Sequence, residues 1–262
     1  ACFQTTSSQY FEKNIDMLFK IFNKIKNKSV NLVCLPECVA IFTESKKKLE
    51  NYFNFNHKSF LDFISKYSIA NKTFVMIGSI PFKKKNGKFL NRSILIDDHG
   101  QTVSFYDKIN LFDVNLGSNE KYLESKNFDP GKRARVCKLP WGNLGMSICY
   151  DLRFGNHYKR LAKKGADFFS IPAAFTHTTG IAHWHVLVRA RAIENGCFVF
   201  APAQSGVHDN GRKTFGHSLI VDPWGKVLSE AGNDPTIITS EIDTKLVEFY
   251  RCSVPSMTDL KL

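Results

Sequence analysis

Short, uninterrupted apolar runs alternate with segments of helical period, and this alternation restricts the chain to an α/β architecture. The runs VNLVCLPE (30–37), FVMIGSI (74–80), LGMSICY (144–150), ADFFSIPAAF (166–175) and CFVFAPAQ (197–204) are apolar almost throughout. That pattern marks strands covered on both faces. Between them, Phe11, Ile15, Leu18, Phe22 and Ile25 recur at spacings of three and four, which is one face of a helix. Residues 57–69, 156–165 and 183–195 are predicted as further helices. ACFQTT at the start and ARVCKLP (134–140) read as strands. Two hairpins are expected, one turning at Asp98–Gly100 and one at Pro223–Gly225. Segment 112–132 is polar and aperiodic, with Gly117, Pro130 and Gly131, and is predicted as a long loop, a feature that in a compact domain is usually functional or disordered. No linker or internal repeat interrupts residues 1–262, so one domain is expected.

Several function classes are disfavoured by composition. The chain contains no apolar run of 18 residues, and its first residues carry neither a basic nor a long apolar segment; no membrane association is expected. Seven cysteines with no repeated spacing lie mostly in apolar segments, which suits reduced thiols and a cytoplasmic location. The formal net charge of +12 raises the question of nucleic acid. Its lysines come as short scattered runs without interleaved aromatics, so they read as solvated faces, and no nucleic-acid partner is expected.

Three strand ends carry reactive side chains. Cys149 follows LGMSI and precedes the charged DLRF, so it falls where a strand turns toward a helix. A side chain there projects from the carboxyl end of the sheet, next to backbone N–H groups able to hold an oxyanion. A small buried core cysteine is the alternative reading. Glu37 is the first charged residue after the strand broken by Pro36, and Lys108 ends the β-rich run VSFYDK. A carboxylate can take a thiol proton, and an ammonium can hold developing negative charge. Cys34 and Cys38 read as packing. His183 and His185 in FTHTTGIAHWH point to different faces of a helix, so no metal is expected there. Phe112, Phe175 and Thr176 follow strand ends and are candidate pocket residues.

LPE, YDKINLFD and CYDLRF, in that order, resemble the glutamate, lysine and cysteine segments of the nitrilase superfamily, the carbon-nitrogen hydrolases. The resemblance continues through IPAAFTHTTGIAHWHVLVRARAIENGCFVFAPAQSG and FGHSLIVDPWG, to about residue 245. It implies a four-layer α-β-β-α sandwich and pairing through helices into a homodimer or higher homo-oligomer. By the same resemblance Glu37 is the general base, Lys108 stabilises the oxyanion and Cys149 is the nucleophile. Glu124 would match a second active-site glutamate, and the Tyr150 backbone N–H would assist Lys108. The implied reaction is hydrolysis of a small linear amide through a thioester, with no cofactor and no metal.

Within the superfamily the chain is most similar to the Nit branch. The run PAQSGVHDNGRKTFGHS favours the amide of a peptide-like 2-oxo acid over a 2-oxo acid monoamide. Two departures leave a non-catalytic scaffold as a rival: His185 stands where the family usually has Glu, and Gly155, Asn156 and His157 replace a Pro-Glu-Leu-like run.

Overall fold

Two six-stranded sheets, each built around three parallel strands, lie face to face in the computed structural model, which describes residues 1–26, 28–117 and 120–256. In chain order the strands begin with β1 (Cys2–Gln4), β2 (Leu32–Cys34), β3 (Phe74–Lys83), β4 (Phe89–Ile96), β5 (Thr102–Asp107), β6 (Asp113–Asn115) and β7 (Lys121–Leu123). They continue with β8 (Arg135–Leu139), β9 (Gly142–Met146), β10 (Phe168–Ser170), β11 (Phe198–Ala201), β12 (Ser205–Val207) and β13 (Lys213–Phe215). The last are β14 (Leu219–Val221), β15 (Val227–Glu230) and β16 (Thr236–Ile238). The helices are α1 (Phe11–Asn23), α2 (Lys46–Asn51), α3 (His57–Asn71), α4 (Gly155–Lys163), α5 (His177–Asn195) and α6 (Lys245–Ser253).

The first sheet runs β16-β1-β2-β3-β4-β5 and the second β15-β14-β11-β10-β9-β8. Successive side chains of a strand point to opposite faces, and the buried residues divide accordingly. Cys2, Cys34 and Met76 join the core shared with the second sheet. Phe3, Val33 and Val75 meet Leu18, Phe22, Phe60 and Ile64 of α1 and α3 on the outside. On the far side Tyr158 and Trp184 of α4 and α5 cover the second sheet, with the Tyr158 and Phe169 rings 5.1 Å apart. The result is the expected helix, sheet, sheet, helix layering.

The sheets are joined where their strands end. Thr5 pairs with Gln204; the Ser205 N–H donates to the Thr5 carbonyl at 2.8 Å, and the Thr5 hydroxyl donates to Gln204 Oε1 at 3.0 Å.

Several elements differ from the sequence reading. Helix α5 starts at His177 rather than at 183, because Gly180 serves close packing and does not break the helix. A Cβ there would lie 2.3 Å from Phe215 Cβ. The predicted loop at 112–132 holds the β6–β7 hairpin and a 3-10 turn over Glu124–Lys126. Helix α2, a single π-type turn at Tyr52–Asn56, α6 and β16 were not foreseen. The last six residues of the domain expected over 1–262 lie outside the described residues.

Candidate active site

Glu37, Lys108 and Cys149 each leave the carboxyl end of a strand, the first two from one sheet and the third from the other. After β2 the ladder continues through the Leu35 N–H, which donates to the Met76 carbonyl at 2.9 Å. Pro36 then offers no N–H, and Glu37 is released into the space between the sheets. Gly78 lets this bend sit close: a Cβ on it would fall 2.0 Å from the Leu35 carbonyl oxygen. The Glu37 carbonyl is held by Gln204 Nε2 at 2.8 Å. Lys108 follows β5, with its N–H on the Asn91 carbonyl at 3.0 Å and its carbonyl accepting from the Gly131 N–H at 2.7 Å.

Cys149 opens a 3-10 turn over Cys149–Arg153 with φ +46°, a left-handed conformation that costs a non-glycine residue free energy and tends to occur at functional positions. The turn is held by its N–H donating to the Pro172 carbonyl at 2.9 Å and by Asp151. That buried carboxylate accepts from the Ile148 N–H at 2.9 Å, the Asn110 N–H at 3.0 Å, Asn110 Nδ2 at 2.8 Å and the Tyr106 hydroxyl at 2.7 Å.

The three side chains converge in one cleft with Glu124. Lys108 is 2%, Glu37 4% and Cys149 6% exposed. Lys108 Nζ donates to Glu37 Oε1 and to Glu124 Oε2, both at 2.9 Å. Asn91 Nδ2 spans the same two carboxylates, 3.0 Å from Glu37 Oε1 and 3.0 Å from Glu124 Oε1. Glu37 Oε2 accepts the Ala174 N–H at 2.8 Å, and Glu124 Oε2 accepts the Phe112 N–H at 2.7 Å. The ammonium fills the space between the carboxylates that a cation would otherwise take.

Burial pushes the Glu37 carboxyl up, but the Lys108 charge and hydrogen bond outweigh it and hold the group below the usual carboxylate range. Burial also works against the charged form of Lys108, and the charges of Glu124 and Glu37 override it, raising the ammonium well above its ordinary value. The Cys149 thiol is pushed well above its ordinary value, first by burial and then by the Glu37 charge. At neutral pH the resting group is therefore a carboxylate beside a protonated thiol. This arrangement can move the thiol proton to Glu37 when an electrophile arrives.

Phe112 lines the cleft. Phe175 and Thr176 do not: Phe175 is buried against Trp184, ring centroids 5.2 Å apart, and Thr176 precedes α5 with its hydroxyl 2.7 Å from that of Thr179. Their strand ends turn into the helix before reaching the opening. The Tyr150 ring also stays outside the lining, edge-on to Phe112 at 5.1 Å and to Phe154 at 5.5 Å. Cys34 is buried as predicted, whereas Cys38 lines the cleft next to Glu37. The histidines of FTHTTGIAHWH do not converge: His183 meets Arg153, and His185 meets Glu230.

Sequence reasoning missed Asn91, Asp151, Gln204 and Arg212. Arg212 lines the cleft, with its guanidinium 4.7 Å from the Tyr122 ring centroid and 5.1 Å from that of Phe42. One nitrogen donates to the Ala174 carbonyl at 3.1 Å, while its buried Nε has no partner among the described residues.

Comparison with known proteins gives one consistent family. The sequence model described as carbon-nitrogen hydrolase matches residues 1–251. A deaminated glutathione amidase of Synechocystis is 36% identical over 264 residues, covering 98% of this chain and 96% of that protein. The omega-amidase NIT3 of Saccharomyces cerevisiae is 33% identical over 228 residues, covering 86% of this chain and 78% of that one. Among solved structures, the Caenorhabditis elegans NitFhit protein superposes with a TM-score of 0.93 at 32% identity, covering 99% of this chain. This chain spans 64% of the length of that protein. Saccharomyces cerevisiae Nit3 gives a TM-score of 0.86 at 29% identity, covering 99% of this chain and 94% of that one.

Proposed function

The chain belongs to the carbon-nitrogen hydrolase family, and from that premise we propose an amidase that cleaves small linear amides through a thioester on Cys149. The observation that carries this reading is the buried junction of Glu37, Lys108 and Glu124 beside that cysteine. Glu37 takes the thiol proton as sulfur attacks the amide carbonyl. The oxyanion is held by Lys108 and the Tyr150 backbone N–H. Glu37 then gives its proton to the departing nitrogen, so the amine, or ammonia from a primary amide, leaves and a thioester remains. Water, deprotonated by Glu37, attacks that thioester and returns the free thiol and a carboxylic acid. Glu124 fixes the ammonium and, through the Phe112 N–H, the loop beside it.

The substrate is proposed as deaminated glutathione, an amide that carries carboxylates. Support comes from the similarity to proteins of that name and from the cation Arg212 in the cleft wall. Release of cysteinylglycine from deaminated glutathione and of ammonia from 2-oxoglutaramate, with Cys149→Ala alongside, tests it. Preference for the first compound, abolished by the substitution, is expected. Preference for the second would make the chain an omega-amidase, and turnover of neither would leave a scaffold.

We further propose one domain that pairs as a homodimer through α4 and α5. Phe154, Ile181, Val186 and Ile193 are exposed on or beside these helices, and pairing would cover them. Sedimentation of the purified chain tests this. All seven cysteines are thiols, which supports a cytoplasmic location.

A further inference from the structure

We propose that His185, His217 and Glu230 form a site for a borderline divalent cation, with zinc the best match, on the outer face of the second sheet. Their potential ligand atoms lie within 4.8 Å of one another. They come from three separate elements: His185 from α5, His217 from the bend between β13 and β14, and Glu230 from the end of β15. His185 Nε2 and His217 Nδ1 both sit 2.9 Å from the same oxygen, Glu230 Oε1. Two imidazole nitrogens and one carboxylate oxygen make a donor set that zinc accepts, with solvent completing the tetrahedron. The half-open position leaves room for that fourth ligand, since the three side chains are 35%, 23% and 39% exposed.

The surroundings of His217 suit a ligating ring as well as the convergence of the three side chains does. Its Nδ1 faces Glu230 Oε1, and its Nε2 faces Asn233 Oδ1 at 3.2 Å. A neutral imidazole has one N–H and one lone pair, so either the Asn233 amide turns its NH2 toward Nε2 or the lone pair at Nδ1 takes a cation. With a metal at Nδ1 the lone pair goes to the metal and the Nε2–H goes to the Asn233 carbonyl oxygen, which serves as the outer acceptor of a ligating histidine. The backbone is already set for the role. His217 has φ +53°, and its carbonyl accepts from Trp184 Nε1 at 2.7 Å. Its ring is stacked on Phe215 with centroids 4.4 Å apart, and the His185 ring stands edge-on to the same Phe215 at 5.9 Å. None of the three ligands lines the Cys149 cleft. The bound ion would clamp the helix layer to the β14–β15 edge and take no part in amide chemistry.

The test is a zinc titration of the chelator-treated full chain by calorimetry, repeated with His185→Ala, Glu230→Gln and His183→Ala. The parent is expected to bind one more equivalent of zinc than His185→Ala does, which separates this site from the thiols and from the Asp97–His99 turn. Affinity at this site should fall by more than about tenfold in Glu230→Gln and stay unchanged in His183→Ala. Zinc should raise the melting temperature of the parent and leave that of His185→Ala where it was. Equal zinc uptake by parent and His185→Ala, or no uptake by either, overturns the proposal. Because zinc is read without substrate, this result stands or falls independently of the amidase reading.

Discussion

The Tyr106 hydroxyl donates to the Asp151 carboxylate at 2.7 Å, tying the strand end that carries Lys108 to the turn that carries Cys149. Asp151 holds the Ile148 N–H and both nitrogens of Asn110 with the same two oxygens. Asp151→Asn would turn an NH2 toward donors. It is expected to lower kcat by about a hundredfold, the scale of a small misplacement of reacting groups, with KM changed only a few-fold. Steady-state kinetics of the folded variant check this; a lower melting temperature with kcat intact would reduce Asp151 to a structural brace.

Alkylation by iodoacetamide, itself a small amide, should single out Cys149 through proton transfer to Glu37. Cys252 is the exposed cysteine and serves as the internal reference. Glu37→Gln is expected to slow labelling at Cys149 at least tenfold, on the scale of a lost general base, and leave Cys252 unaffected. Peptide mapping by mass spectrometry reads both sites; equal slowing at both would argue against the Glu37–Cys149 couple.

The thiol of Cys149 has a raised pKa in the folded chain. Its contribution is present below the unfolded thiol value, about 8.5, and is lost as pH rises from there toward the folded value. Cys149→Ala removes this loss. Urea midpoints at pH 7 and pH 10 should therefore fall less in the variant than in the parent. Identical falls would mean that the buried thiol is not held protonated.

Arg212→Met tests the charge of the substrate. For an amide carrying a carboxylate, KM should rise about tenfold or more, as for loss of a charge-assisted hydrogen bond. For a neutral amide of the same length it should move little. An equal change for both would mean that Arg212 only shapes the wall or tunes Glu37, whose carboxylate it also stabilises.

Gly78→Ala should be among the costliest single-methyl changes, because the new Cβ would meet the Leu35 and Pro36 carbonyl oxygens at 2.0 and 2.3 Å. Those are backbone atoms with no rotamer to change, so a loss of about 1–3 kcal/mol is expected, together with a displaced Glu37 and lower kcat. Chemical denaturation and activity together check it; a stable, fully active variant would refute the close approach.

The meeting of Glu37, Lys108 and Cys149 in one cleft was legible because each stands just after a strand, and a strand end fixes where such a side chain goes. The α/β class was legible because buried strands and amphipathic helices advertise their period; the four-layer sandwich came only from the resemblance of LPE, YDKINLFD and CYDLRF to the carbon-nitrogen hydrolases. Asn91 sits inside a strand and reads as an ordinary polar residue; only the fold brings its amide between Glu37 and Glu124, 54 and 33 residues away. Asp151, Gln204 and Arg212 were hidden in the same way, because their partners lie on other strands. Phe175 and Thr176 show the converse error: a strand end need not open on the cleft when a helix starts there. The start of α5 was missed because glycine signals a break locally but close packing in three dimensions.

The antiparallel pairing of β1 with β16, Cys2 opposite Ile238, has a consequence for synthesis on the ribosome. Strand β1 obtains its outer neighbour only once residues 236–238 have been made. Until then the nascent first sheet carries an open edge, and until residue 149 emerges its two charged residues face no thiol wall. This sheet therefore closes only when β16 arrives, and an intermediate halted before residue 236 is the species for chaperones to guard.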